Sequence, residues 1–105
     1  MKILGVTACP TGVAHTYMSA EALEKEAKAR GYEVKVETQG SIGIENEITE
    51  EDLKGADVVI LTKDIAIKNK ERFQGIPTVN VAITDLIKKT SALLDKIEEH
   101  LKKNK

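Results

Sequence analysis

Tryptophan is absent from this 105-residue sequence, phenylalanine occurs once and tyrosine twice. Three aromatic rings make no recognisable sugar-binding set. Net charge is also nearly absent, with 17 acidic against 16 basic side chains, so the chain lacks the basic field that holds nucleic acid by neutralising phosphates. Nucleic acid is excluded as a partner. A single cysteine cannot form an internal disulfide, and nothing near Met1 has the basic, apolar and small-residue order of a signal peptide. These features predict a cytoplasmic protein. No apolar run approaches the roughly 20 residues that cross a bilayer, so the chain is not expected to insert in a membrane directly and would reach one only through a partner. There is no internal repeat, no low-complexity segment and no linker, and the length suits one domain over residues 1–105.

Short β-branched and apolar stretches predict four strands at residues 3–6, 33–37, 58–61 and 78–81. Between the first two, residues 16–30 read as a helix, with Ala20, Leu23 and Ala27 at helical spacing and Gly31 where a C-capping glycine belongs. Thr49 can cap a short helix over residues 49–54, and residues 64–75 read as a loop with one helical turn near 70–73. Thr84 or Asp85 starts a helix to residue 89, and Ser91 caps another to 103 with Leu94, Ile97 and Leu101 inward. Strands alternating with helices predict a small open α/β fold, a parallel sheet with helices on both faces in three layers.

The only cysteine stands in "TACPTGVAHT", directly after the first strand and before the first helix. In an open α/β sheet, ligands bind beyond the carboxyl ends of the strands where strand order reverses, and the first turn commonly occupies that point. Backbone N–H groups at a helix start favour an anion there, whether thiolate or phosphoryl group. Lowering a thiol from about 8.5 by two units needs roughly 2.7 kcal/mol. A helix dipole supplies at most about 2 kcal/mol, and each hydrogen bond to a charged group about 1.5–3 kcal/mol, so dipole and one or two amides suffice. Pro10 stiffens such a turn, and Gly12 lets the backbone curl toward a ligand.

Other cysteine chemistries fit less well. A buried packing cysteine has no need of Pro10, Thr11, Gly12 and Thr16 around it. Gly12 stands where a redox C-x-x-C would place its second cysteine, and a metal site would have Cys9 and His15 but no third ligand of obvious spacing. No metal or other cofactor is implied. A nucleotide-binding Gly-Lys-Ser/Thr end is absent. Nucleophilic phosphoryl chemistry remains, for which the C-x5-R-[S/T] loop of low-molecular-weight-type cysteine phosphatases is the nearest comparison. His15 takes the place of that arginine and Thr16 follows. Histidine offers a phosphoryl group one donor where arginine offers a permanent bidentate clamp. A phosphatase also needs a general acid. Asp64 and Asp85 follow strands, though a loop carboxylate and a helix-start residue are the ordinary readings of the two.

The segments "TACPTGVAHTYMSAEAL", "VKVETQGSIGIENEIT", "ADVVIL" and "ERFQGIP" resemble the fructose-type enzyme IIB component of the bacterial phosphoenolpyruvate-dependent sugar phosphotransferase system, over residues 2–87. The resemblance implies a phosphocarrier and transferase subunit. Cys9 would accept a phosphoryl group from the phosphohistidine of a IIA component and pass it to fructose, or a fructose-like sugar, bound by the membrane component IIC. The phosphoryl-binding loop would comprise Pro10, Thr11, Gly12, Val13, Ala14, His15 and Thr16, and Gln39, Gly40 and Ser41 would offer a docking surface. Family folds have four parallel strands in the order 2-1-3-4. The protein would sit at the inner face of the membrane through IIC. The alternative is a cysteine-dependent phosphatase of low-molecular-weight type.

Overall fold

Continuous apolar runs form the sheet because strands in a parallel sheet are buried on both faces. The computed structural model describes residues 1–8, 13–40, 43–64 and 66–103. The strands β1 (Lys2–Ala8), β2 (Glu33–Gly40), β3 (Gly43–Glu45), β4 (Val58–Thr62) and β5 (Thr78–Val81) lie in the order β3-β2-β1-β4-β5. β1 runs parallel to β2 and β4, and β4 parallel to β5, so the four expected strands keep the order 2-1-3-4. The expected purely parallel, four-stranded sheet needs one correction: β3 adds an antiparallel edge, pairing Ile44 with Gln39 and Gly43 with Gly40. Its three residues are all exposed, so no apolar alternation announces it.

The helices are α1 (Val13–Ala29), α2 (Glu50–Leu53), α3 (Ile83–Lys88) and α4 (Thr90–Lys103), with a 3-10 turn at Lys70–Phe73. Gly31 ends α1 at φ +78°: its N–H donates to the Lys28 carbonyl and the N–H of Tyr32 to the Ala27 carbonyl, which closes the last turn. Thr49 caps α2 with Asp52 as the reciprocal partner. Alternation along β1 sends Ile3 to one face and Leu4, Val6 and Ala8 to the other. On the first face α1 supplies Ala20, Leu23 and Ala27, and α3 and α4 supply Leu86, Leu94 and Ile97. A Cβ on Gly5 would meet Leu23 Cδ2 at 2.7 Å, so that glycine sets how closely α1 approaches β1.

The second face carries much less helix. Ile48, Ile67 and Phe73 pack there with partly buried Leu53, Ala56 and Ile76, on connecting segments, short α2 and the 3-10 turn. What fastens this cover is a fully buried carboxylate, Glu37 of β2. Its Oε1 accepts from Arg72 Nη1 at 2.8 Å and from the Ile48 N–H at 2.9 Å; its Oε2 accepts from Arg72 Nη2 at 2.6 Å and Gln39 Nε2 at 2.7 Å. Arg72 Nη1 also donates to the Ile48 carbonyl, and its guanidinium lies 4.6 Å from the Phe73 ring centroid. Burial by itself would raise the Glu37 carboxyl, but Arg72, Gln39 and the Ile48 N–H outweigh it and hold the group below the ordinary carboxylate range.

Removing one partner of a buried pair leaves the other charge uncompensated. Glu37→Leu alone and Arg72→Met alone should each cost about 3–5 kcal/mol, while the double variant should recover much of that loss. Urea unfolding of the four proteins tests the coupling. Additive losses would mean that the pair contributes little beyond packing.

A second carboxylate predicts the acid limb. The Lys35 ammonium at 2.6 Å, with the Thr49 N–H at 2.8 Å, lowers Asp52 to about 2. Because Asp52 is lowered in the folded state, the stabilisation it contributes is fully present above the ordinary carboxylate range and is lost as pH falls from there toward about 2; Glu37, lowered as well, acts in the same direction. Asp52→Asn should therefore flatten the fall of the urea midpoint across that window. An unchanged slope would show that Asp52 gains nothing from Lys35 on folding.

Candidate functional site

From β1 the chain goes to β2 on one side and later returns to β4 on the other. The carboxyl ends of β1 and β4 therefore flank the crevice where an open α/β sheet takes its ligands. β1 ends there at Ala8 and α1 begins at Val13, with Cys9, Pro10, Thr11 and Gly12 between them in sequence. Those four residues, and Ser41, lie outside the described residues.

Three hydroxyl side chains organise the described rim. Thr7, wholly buried at the end of β1, donates from Oγ1 to the Thr16 carbonyl at 3.0 Å, and Ser19 Oγ donates to the same carbonyl at 2.9 Å. The first turns of α1 are thereby tied to the end of β1. Across the crevice, Thr62 at the end of β4 accepts from the Ala8 N–H at 3.0 Å and donates to the Ala8 carbonyl at 3.2 Å. Thr16 itself is buried, yet its Oγ1 has no hydrogen-bond partner among the described residues. An unsatisfied buried hydroxyl is costly, and this one stands in the first turns of the helix that follows Cys9.

The other residues singled out in the sequence separate into two groups. Ala14 and His15 are exposed at the start of α1, and Gly40 is exposed at the end of β2. Gln39 is buried: its Nε2 donates to Glu37 and to the Lys68 carbonyl at 3.1 Å, and its Oε1 accepts from the Lys68 N–H at 2.9 Å. Its amide thus joins β2 to the connection after β4. Asp64 accepts from the Ile83 N–H at 2.7 Å at the start of α3, and Asp85 lies within the first turn of that helix. These are the ordinary roles of a loop carboxylate and a helix-start residue.

Of the aromatic residues, Phe73 is buried, whereas Tyr17 is 38% exposed, with its hydroxyl donating to Glu45 at 2.6 Å. Sequence reading passed over Thr7 and Thr62. A threonine closing a buried apolar run at the ligand-binding end of a strand was the available signal. Thr62 also lines an open cleft of about 360 Å³ with Lys63, Lys70 and Asn80. A larger groove, about 660 Å³, lies between α4 and β5 and reaches Val58 at the opposite end of β4.

Comparison with known proteins agrees with this layout. Residues 4–104 match the model of the PTS IIB family, described as the lactose/cellobiose-specific IIB subunit of the PTS system. The PTS system fructose-like EIIB component 2 of Escherichia coli K12 is 66% identical over 100 residues, covering 95% of this chain and 94% of that protein. A crystal structure of a domain from the fructose-specific IIABC component of Borrelia burgdorferi is 50% identical and superposes with a TM-score of 0.85 over 90% of each chain. The solution structure of an enzyme IIB subunit of the Escherichia coli K12 PTS system, 38% identical, gives a TM-score of 0.90 over 98% of this chain and 95% of that one.

The Thr16 hydroxyl yields a stability test. Thr16→Val keeps the shape and removes the unsatisfied oxygen, so the variant should be about 1 kcal/mol more stable and melt several degrees higher. A hydroxyl serving as a helix cap would give the opposite sign, a loss of about 0.5–2 kcal/mol.

Proposed function

This chain belongs to the PTS IIB family as a fructose-like EIIB component, and we propose on that premise that Cys9 carries the phosphoryl group between a phosphorylated IIA component and sugar bound by IIC. Residues 1–105 act as one IIB domain, at the cytoplasmic face of the membrane through IIC. The sugar is fructose or a close relative of it. The observation that supports the reading most is positional: the sequence "CPTGVAHT" starts immediately after Ala8, at the mouth of the β1/β4 crevice, and runs into the first turns of α1.

The chemistry is a pair of in-line displacements. In the first, the Cys9 thiolate attacks phosphorus, the S–P bond forms, the P–N bond of the phosphohistidine breaks, and the imidazole leaves with the electron pair and takes up a proton. In the second, a sugar hydroxyl held by IIC loses its proton and attacks phosphorus; the O–P bond forms and the thiolate leaves. Neither step needs a metal or a redox partner from this chain. Catalysis then consists of positioning and of stabilising charge on the phosphoryl oxygens. The loop from Pro10 to Thr16 supplies donors, with Thr16 Oγ1 as a hydroxyl donor whose buried position leaves it otherwise unsatisfied. Gly40, at the end of β2, and Ser41, which follows it in sequence, contribute to partner docking, and Lys63 and Lys70 give the cleft beside Thr62 a positive edge that suits an anionic group.

A carrier must keep water from discharging its phosphocysteine, whereas a phosphatase must activate water. The sixth residue after Cys9 is His15 rather than arginine, and the candidate acids are both engaged with α3, Asp64 as acceptor from its first N–H and Asp85 within its first turn. Cys9→Ser should fold normally and take no phosphate from phosphorylated IIA, with the wild-type adduct mapping to Cys9 by peptide mass spectrometry. Turnover of p-nitrophenyl phosphate by the wild type should be negligible. Phosphate on His15 or His100, or uptake by Cys9→Ser, would remove Cys9 from the transfer. Efficient Cys9-dependent aryl phosphate hydrolysis without transfer to sugar would make the protein a phosphatase.

A further inference from the structure

The β1/β4 ladder stops before the strands do. Its last register pair is Val6 with Leu61, although β1 continues to Ala8 in its pairing with β2 and β4 continues to Thr62. Beyond Leu61, β4 keeps its bonds to β5, with the Lys63 N–H donating to the Val81 carbonyl at 2.8 Å. The two strands part at the switch point, as they must to open a crevice there. Parting leaves the Ala8 N–H and carbonyl facing a strand that no longer offers them backbone partners. Both groups are buried, and the Thr62 hydroxyl takes both.

We infer that Thr62 is a positioning residue for phosphoryl transfer, holding the peptide group that carries Cys9. This rests on the reading of Cys9 as the nucleophile. The Ala8 carbonyl belongs to the same planar unit as the Cys9 nitrogen, so a hydroxyl bonded to that carbonyl fixes the plane from which the nucleophile's residue starts. The Ala8 N–H bond fixes the preceding plane through the same oxygen. Thr7 makes the corresponding tie on the other side, to the carbonyl of Thr16. Thr62 is itself held: it is 1% exposed and ends a strand whose other residues are all buried, so its oxygen has little freedom to move. A hydroxyl can do this where a backbone ladder cannot, because it reaches across a gap that the diverging strands have opened.

Thr62→Val preserves shape and removes both bonds, whereas Thr62→Ser preserves both. Transfer from a phosphorylated fructose-type IIA component should fall at least about tenfold in maximal rate in Thr62→Val, with little change in the KM for IIA, and Thr62→Ser should restore most of it. The pH profile of Cys9 alkylation by iodoacetamide should move upward in Thr62→Val and stay near wild type in Thr62→Ser. That second measurement needs no IIA, so it separates the two readings. Labelling of wild type elsewhere than Cys9 would overturn the assigned carrier residue, while wild-type alkylation and transfer by Thr62→Val would overturn the positioning role. Equal loss in the valine and serine variants would also overturn it, since it would trace the effect to packing. In the wild type, the Ala8 amide should be strongly protected from hydrogen exchange; exchange at the rate of an exposed amide would remove the geometric basis.

Discussion

The second face of the sheet depends on one buried ion pair. α1, α3 and α4 all pack on the first face, leaving the other to short α2, the 3-10 turn and the connections around them. Short segments of this kind offer less continuous apolar surface to the sheet than a long helix would. Glu37 and Arg72 supply the missing constraint, because a carboxylate with no exposure at all has to be matched by charge and by hydrogen bonds. Glu37 gathers Arg72, Gln39 and Ile48 around one carboxylate, and Gln39 then grips the backbone of Lys68. Two connections that are distant in sequence are thereby fixed to the end of β2. A long helix would have given this face more hydrophobic burial; the polar network gives it a defined geometry close to the binding end of the sheet.

At that end, hydroxyls replace the ladder. Parallel strands that diverge to open a crevice leave N–H and carbonyl groups facing one another across too wide a gap. Thr62 answers this for Ala8, while Thr7 and Ser19 bond to Thr16 on the helix side. Each of these side chains is buried, so each bond is shielded from competing water. The cysteine thus follows, in sequence, a rim whose Thr7, Ser19 and Thr62 hydroxyls are all bonded, while Thr16 Oγ1 has no partner among the described residues.

The sheet was legible because its information is local and periodic. Apolar runs at Ile3 and Val58, the stripe of Ala20, Leu23 and Ala27, and the Gly31 stop each declare an element within a few residues. The parallel order and the place of the cysteine followed from alternation and from a resemblance that spans most of the chain. β3 was not legible, since three exposed residues that pair antiparallel with the end of β2 carry no pattern of their own. Glu37 is a charged residue beside Val36 in the strand, and nothing near it in sequence identifies Arg72, 35 residues on, as its partner. Thr62 was hidden for a related reason: its task is set by the divergence of two strands, which belongs to the tertiary structure alone.

The two arginines of the chain bear on the kind of phosphoryl chemistry available. Arg72 is committed to Glu37, and Arg30 ties the end of α1 to α4 through Asp95 at 2.9 Å and Glu98 at 3.0 Å. Neither guanidinium is left to serve as a bidentate clamp on a phosphoryl group. In the proposed carrier role, the phosphoryl oxygens are met instead by backbone amides and by neutral hydroxyls, with Lys63 and Lys70 as exposed cations at the margin. A permanent guanidinium clamp would hold the dianionic phosphocysteine more tightly than the sugar-bound partner needs to overcome. Weaker, well-oriented donors stabilise the charge that develops during transfer without sinking the phosphorylated state so deep that it resists onward transfer. The same economy of charge disfavours hydrolysis, because water would have to be oriented and deprotonated by groups that this chain has placed elsewhere.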